Sequence, residues 1–172
     1  MTVDPSQLRL AHFPSEVLRR RASPIQRIDE SVRGIASRMR EIMREEAGIG
    51  LAAPQVGVSL RMFVVDIDLA ETEHAVYINP RLSGFEGDLV AREEGCLSLP
   101  GIRAEIRRPP KVTITALDLD GREFTDTAEG LVARVWQHEF DHLDGVLILD
   151  RMTPIDRIAT RKAVKELLAA KE

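Results

Sequence analysis

Residues 138–142 read His-Glu-Phe-Asp-His, the densest run in the chain of side chains able to do chemistry. On a helix, positions four apart are neighbours on one face, with Cβ atoms about 5–6 Å apart. His138 and His142 so placed can close on one metal ion, while Glu139, about 100° around the axis, reaches toward a water on that ion. The chemistry this suits is metal-assisted hydrolysis. A cation lowers the pKa of its water from ~15.7 toward ~7, and the carboxylate carries the proton. The plainer alternative is two core histidines beside a surface glutamate. Such a run arises by chance in roughly one chain of this length in several hundred. The metal reading therefore leads.

The element that must position these groups is a buried helix. Leu131, Val135, His138 and His142 follow an i, i+4, i+7, i+11 course, and Val132, Trp136, Phe140 and Leu143 form a second stripe beside it. A helix apolar over so much of its circumference packs against structure on more than one side. Gly130 precedes it, and Gly145 offers a left-handed stop. Imidazoles pointed into such a core need partners for their ring nitrogens, and a metal supplies one each.

The rest of the chain must enclose that helix. Asp29 can cap a helix running to about Ala47, with Val32, Ile35, Ala36, Met39, Ile42 and Met43 on one face and Gly48 ending it. Met62 to Ile67 reads as a buried strand, and Ala75 to Ile78 as another before Asn79-Pro80. Lys111 to Leu117 alternates with period two, with Val112, Ile114 and Ala116 on one side. Asp120-Gly121 then turns the chain into Arg122 to Thr127. A short strand is expected at 146–149, and Thr153 with Pro154 starts a final helix. The stretch from 79 to 110 reads mostly as loop, and loops of that length usually carry function. The expected fold is a single α+β domain over 1–172. Short antiparallel sheets pack around a buried central helix carrying HEFDH, with one helix in the N-terminal half and one at the C-terminus.

Bulk properties narrow the function classes. The chain has 172 residues, 44% of them hydrophobic and 30% charged, an ordinary soluble composition long enough for a sizeable core. A net charge of −4 argues against nucleic-acid binding by bulk electrostatics. No apolar run approaches the length of a membrane span, and the N-terminal MTVDPSQLRLAHFP lacks a hydrophobic signal core. One cysteine excludes an intrachain disulfide and makes a reducing cytoplasm the expected compartment. His12 and His74 stand outside any ligand pattern and read as surface or turn positions.

Two histidines leave a third ligand to find. Cys96, in Glu94-Gly95-Cys96-Leu97-Ser98, is one candidate, since thiolate, two imidazoles and an open fourth position form a catalytic set. A lone cysteine is also commonly a small buried hydrophobe. Glu166 is the rival, at a distance past His142 like that in thermolysin-type zinc peptidases, although Arg161, Lys162 and Lys165 around it favour a solvated charge. A closed structural metal site and a cysteine hydrolase built on Cys96 are the other readings. The first needs a fourth protein ligand, and the second leaves Glu139 unexplained. Gly48 to Gly57, GIGLAAPQVG, adds glycines that permit close backbone approach to a ligand and an amide donor in Gln55.

Taken together, GIGLAAPQVG, EGCLS and QHEFDHLDG resemble the three motifs of the bacterial peptide deformylases, in that family's order. The likeness runs from FPSEVLRRRASP through GIRAEIRRP to the last helix. It implies an enzyme that removes the formyl group from N-formylmethionine at the start of nascent chains, releasing formate. Carried over by position, it implies Cys96, His138 and His142 as metal ligands and Glu139 as general acid/base. Gln55 and the Leu97 backbone N–H would form the oxyanion site. Ile49, Gly50, Glu94, Arg103, Leu131 and Val135 would line the substrate cleft. Asp141 would orient the helix through an arginine such as Arg108. Arg134 stands where many members carry an aliphatic residue. The resemblance implies one divalent ion per chain, Fe²⁺, with Zn²⁺, Ni²⁺ or Co²⁺ able to substitute. The partners are N-formylmethionyl nascent peptides, with no membrane and no sequence-specific nucleic acid. Arg161, Lys162, Lys165 and Lys171 could dock the last helix on ribosomal RNA, against the simpler reading of a solvated face.

Overall fold

The computed structural model describes residues 3–170 other than Glu71, so the first two residues of the N-terminal segment, and Lys171 of the basic end, lie outside the described residues. Helix α1, Glu30–Glu45, starts where the Asp29 side chain accepts a hydrogen bond from the Val32 N–H at 3.1 Å. It buries Val32, Ile35, Ala36, Met39, Ile42 and Met43, the face its periodicity names. Its end differs from expectation. Gly48 N–H reaches the Met43 carbonyl and Ala47 N–H the Arg44 carbonyl, a Schellman closure with Ala47, at φ 52°, in the left-handed position. Gly48 is glycine for another reason: a Cβ there would sit 2.8 Å from Leu97 Cδ1, against the loop that carries Cys96.

Five antiparallel strands follow in the order β1-β2-β3-β6-β7: β1 Gly50–Ala52, β2 Met62–Val65, β3 Val76–Glu86, β6 Lys111–Leu117 and β7 Glu123–Glu129. Side-chain alternation divides the core. Met62, Val64 and Ile78 turn to α1, whereas Phe63, Val65, Tyr77, Val112, Ile114 and Ala116 turn to the opposite face. Helix α3, Gly130–Leu143, covers that second face with Ala133, Val135, Trp136 and Leu143. The helix bearing the histidines is therefore pressed on a sheet, as its two apolar stripes require.

Several expectations are corrected. The strand expected to stop at Ile78 continues to Glu86 through an irregularity at Asn79-Pro80, where Asn79 takes φ 49° and its amide bonds both the N–H and the carbonyl of Ile25 at 2.8 Å. The strand expected to reach Ile67 ends at Val65. Asp66 accepts from the N–H groups of Asp68 and Leu69 and opens a helical turn, α2, Ile67–Ala70. The segment read as loop holds a second, two-stranded sheet, β4 Val90–Gly95 with β5 Arg103–Arg108. In β4 only Glu94 is buried, so no apolar period announces it. In β5 alternate residues are buried, but the third of them is Arg108, whose charge breaks the apolar period. The strand expected at 146–149 is instead a helical turn, α4 Ile148–Arg151, where Asp150 accepts from the Leu147 N–H.

Helix α5, Pro154–Ala169, begins as expected, with the Thr153 hydroxyl accepting from the Asp156 N–H at 3.2 Å. It lies over a third cluster, formed by Leu18, Leu99, Ile102, Ala104, Ile106, Leu147, Ile148 and Met152. His12 is exposed, while His74 is half-buried and stacked on Phe124 at 3.6 Å between ring centroids. The architecture is α+β, with antiparallel sheets on a central helix. No helix among the described residues is long and apolar enough to cross a membrane.

Candidate metal centre

One ligand atom from each of Cys96, His138 and His142 lies within 4.8 Å of the other two. Cys96 Sγ is 3.4 Å from His142 Nε2. At ordinary zinc bond lengths, two corners of a tetrahedral S/N site are about 3.5 Å apart. Cys96 is delivered by the end of β4. The Leu99 N–H returns to its carbonyl at 2.9 Å, and buried Leu99 and Ile102 anchor the turn below. Glu166, the rival ligand, is exposed on α5 beside Lys162 and has no part in this cluster.

Glu94 orients His138. Its Oε2 accepts from His138 Nδ1 at 3.0 Å and from Arg108 Nη2 at 3.0 Å, and its Oε1 accepts from Arg108 Nε and Arg134 Nη1, both at 2.7 Å. Burial pushes this carboxyl up, but the bonds from His138 and Arg108 outweigh it and hold the group well below the usual carboxylate range. It is thus an ionised acceptor, His138 donates through Nδ1–H, and Nε2 is left to face the cluster. The sequence reading assigned Glu94 to the substrate. It does border the cleft, and its hydrogen bonds add a second part, the support of His138. Spacing cannot announce that role, because the two residues stand 44 positions apart. Asp141 meets expectation: Arg108 Nη1 donates to it at 2.8 Å, and Arg151 grips its two oxygens.

Glu139 is 3% exposed, not a surface residue, and its Oε2 is buried without a hydrogen-bond partner. Burial pushes its carboxyl up to about 7. The glycine at 50 makes room for this side chain, since a Cβ there would stand 2.5 Å from Glu139 Oε1. Gln55 is also buried. Its Oε1 accepts from the Ala52 N–H at 2.9 Å, which turns Nε2 toward Cys96 Sγ at 3.6 Å and Ser98 Oγ at 3.3 Å.

Beside these groups opens a cleft of about 450 Å³, bordered by Ile49, Gly50, Leu97, Ile102, Leu131 and Val135, with Arg103 among the residues at its edge. Leu131, expected on the helix's inward stripe, is 55% exposed there. Arg103 is exposed and pairs with Glu93 at 3.2 Å. Sequence reasoning missed Ser98 and the part of Arg134. A buried arginine four residues before a ligand histidine was the available signal, because a buried guanidinium requires a carboxylate.

The donor set fits a divalent cation. Burial draws the His138 imidazole down, but its bonds to Cys96 and Glu94 prevail and hold it well above its ordinary value, whereas burial and the nearby His138 charge hold His142 well below. A soft thiolate with two imidazoles suits Zn²⁺ or Fe²⁺. An inward-facing histidine pair, a third donor from a strand end and a buried carboxylate beside a cleft define a metallohydrolase of the His-Glu-x-x-His class. The family model of polypeptide deformylase matches residues 7–158, and the chain belongs to that family. A peptide deformylase from Thermodesulfovibrio yellowstonii is 42% identical over 160 residues, covering 92% of this chain and 96% of its own. Among solved structures, the peptide deformylase of Synechococcus elongatus in complex with actinonin superposes with TM-score 0.86 at 39% identity, over 95% of this chain and 87% of that one. The Plasmodium falciparum peptide deformylase in complex with an inhibitor does so with TM-score 0.87 at 35% identity, over 94% and 99%.

Proposed function

We propose that this chain hydrolyses the formyl amide of N-formylmethionine at the N-terminus of nascent polypeptides, releasing formate, with one divalent ion held by Cys96, His138 and His142. The observation that carries the reading is the unpartnered carboxylate oxygen of Glu139, buried beside three converging donors and next to an open cleft. When bound, the cation supplies Lewis acidity toward water and a carbonyl oxygen.

The protein's own groups do the rest. Glu139, with a carboxyl near 7, takes the proton of the attacking water and passes it to the departing amine. Gln55 Nε2, oriented by the Ala52 N–H, and the Leu97 backbone N–H donate to the oxygen on which charge develops. Ile49, Leu131 and Val135 offer apolar surface to the methionine side chain, and Arg103 stands where the following peptide would pass. The metal is Fe²⁺ on this reading, replaceable by Zn²⁺, Ni²⁺ or Co²⁺.

Anaerobically purified protein, incubated with a formyl-Met peptide, is expected to release one formate per peptide and to contain one metal ion per chain. Metal content with no formate would remove the deformylase assignment. The exposed Arg161, Lys162 and Lys165 of α5 are where ribosomal RNA would dock. Co-sedimentation with ribosomes that survives deletion of residues 160–172 would discard that role.

A further inference from the structure

Arg134 carries a full charge into the interior of α3, one turn before His138, and is only 8% exposed. Its Nη1 donates to Glu94 Oε1 at 2.7 Å and to the Ile106 carbonyl at 3.0 Å, and its Nη2 donates to the Val90 carbonyl at 2.7 Å. One side chain of the helix therefore holds both strands of the small sheet. The anchors span it from end to end: Val90 opens β4 opposite Arg108, and Glu94 lies opposite Ala104 near its close. Cys96 is the second residue after Glu94. Residues 134 and 138 are neighbours on one helix face, and Glu94 bridges them, accepting from Arg134 on one oxygen and from His138 on the other.

Arg108 and Arg134 differ in what they leave behind. Without Arg108, Glu94 and Asp141 would both lose a buried counter-charge. Without Arg134, Glu94 would keep its two-point contact with Arg108. What would go is the tie between the sheet that delivers the thiolate and the helix that delivers the imidazoles. We propose that Arg134 is a positioning residue: by clamping β4, β5 and Glu94 to α3, it sets the approach of Cys96 to His138 and His142 and thereby the affinity for the metal. This rests on the metal-centre reading above.

Cobalt titration against a competing chelator, followed by the thiolate-to-cobalt absorption band and alongside thermal melting, tests it. The unsubstituted protein is expected to show the band at one Co²⁺ per chain. Arg134→Met is expected to keep the band but bind Co²⁺ about 10–100-fold more weakly, the usual effect of losing a group that orients ligands. Arg134→Lys restores charge without the planar fork and is expected to fall between the two. A folded Arg134→Met that binds Co²⁺ within about twofold of the parent, whatever its melting temperature, overturns the proposal, because a merely structural arginine would shift stability alone. Should the Met variant fail to fold, the Lys variant decides: affinity within about twofold of the parent overturns the proposal, and a larger loss supports it. Absence of the band in the unsubstituted protein overturns the metal-centre reading and this proposal together, which separates the two failures.

Discussion

Helices α3 and α5 are of similar length and invert each other's chemistry. The first buries Arg134, Gln137, Glu139, Asp141 and His142, while the second leaves Ile155 and Ile158 78% and 76% exposed and buries none of its residues. Residue type alone would have placed them the other way round. In α3 each buried charge has a reason. Arg134 is matched by Glu94 and two carbonyls, Asp141 by Arg108 and Arg151, and Glu139 sits beside the donors of the metal centre. A buried polar group is tolerable when partnered and functional when deliberately left short of a partner. In α5 the outer face takes no part in the core, and exposed apolar residues are ordinary on a protein surface.

The contrast can be broken at several points. Glu139→Gln removes the proposed proton carrier and keeps the shape. Formate release from a formyl-Met peptide is expected to fall about 10²–10⁴-fold with the metal retained, and a variant keeping more than a tenth of the activity would end the proton-transfer role. Next, Arg108→Met strips counter-charge from Glu94 and Asp141. A loss of about 3–5 kcal/mol, or on the order of 10 °C in melting temperature, is expected, and an unchanged melt would mean these carboxylates are not held by it. Gly50→Ala puts a methyl group into the space of Glu139. Overpacking of about 1–3 kcal/mol is expected, together with a drop in kcat larger than any change in KM, and an unaltered kcat would show that Glu139 can yield without consequence. At the far end, Ile155→Ser and Ile158→Ser on α5 are each expected to change stability by less than about 0.5 kcal/mol. A loss above 2 kcal/mol in urea unfolding would make that face part of the fold.

Some of this was legible because it is local. The pairing of His138 with His142 follows from helix pitch. The start of α1 at Asp29, the start of α5 at Thr153 and the alternation of β6 each depend on residues within a few positions of one another. The β4–β5 sheet was not legible, since β4 hides a single side chain and that one is a glutamate. Nor was α2, where one aspartate captures two N–H groups and ends a strand that its apolar residues would have prolonged. Ala47 taking the left-handed position, with Gly48 reserved for contact with Leu97, reverses the usual reading of a helix-ending glycine.

What the amino-acid order settled alone was the rod of two imidazoles and a carboxylate, the caps at helix starts and the presence of a lone thiol, because each depends on spacing along one element. Tertiary packing decided that Cys96 meets the imidazoles, that Glu94 serves His138, and that Arg134 is neutralised by strands from another sheet. It also decided that Gly50 must lack a Cβ so that Glu139 can stand where it does. The reason is physical: desolvated charges and close contacts are answered by whichever segments the fold brings within about 3 Å, and that is a property of the assembled core.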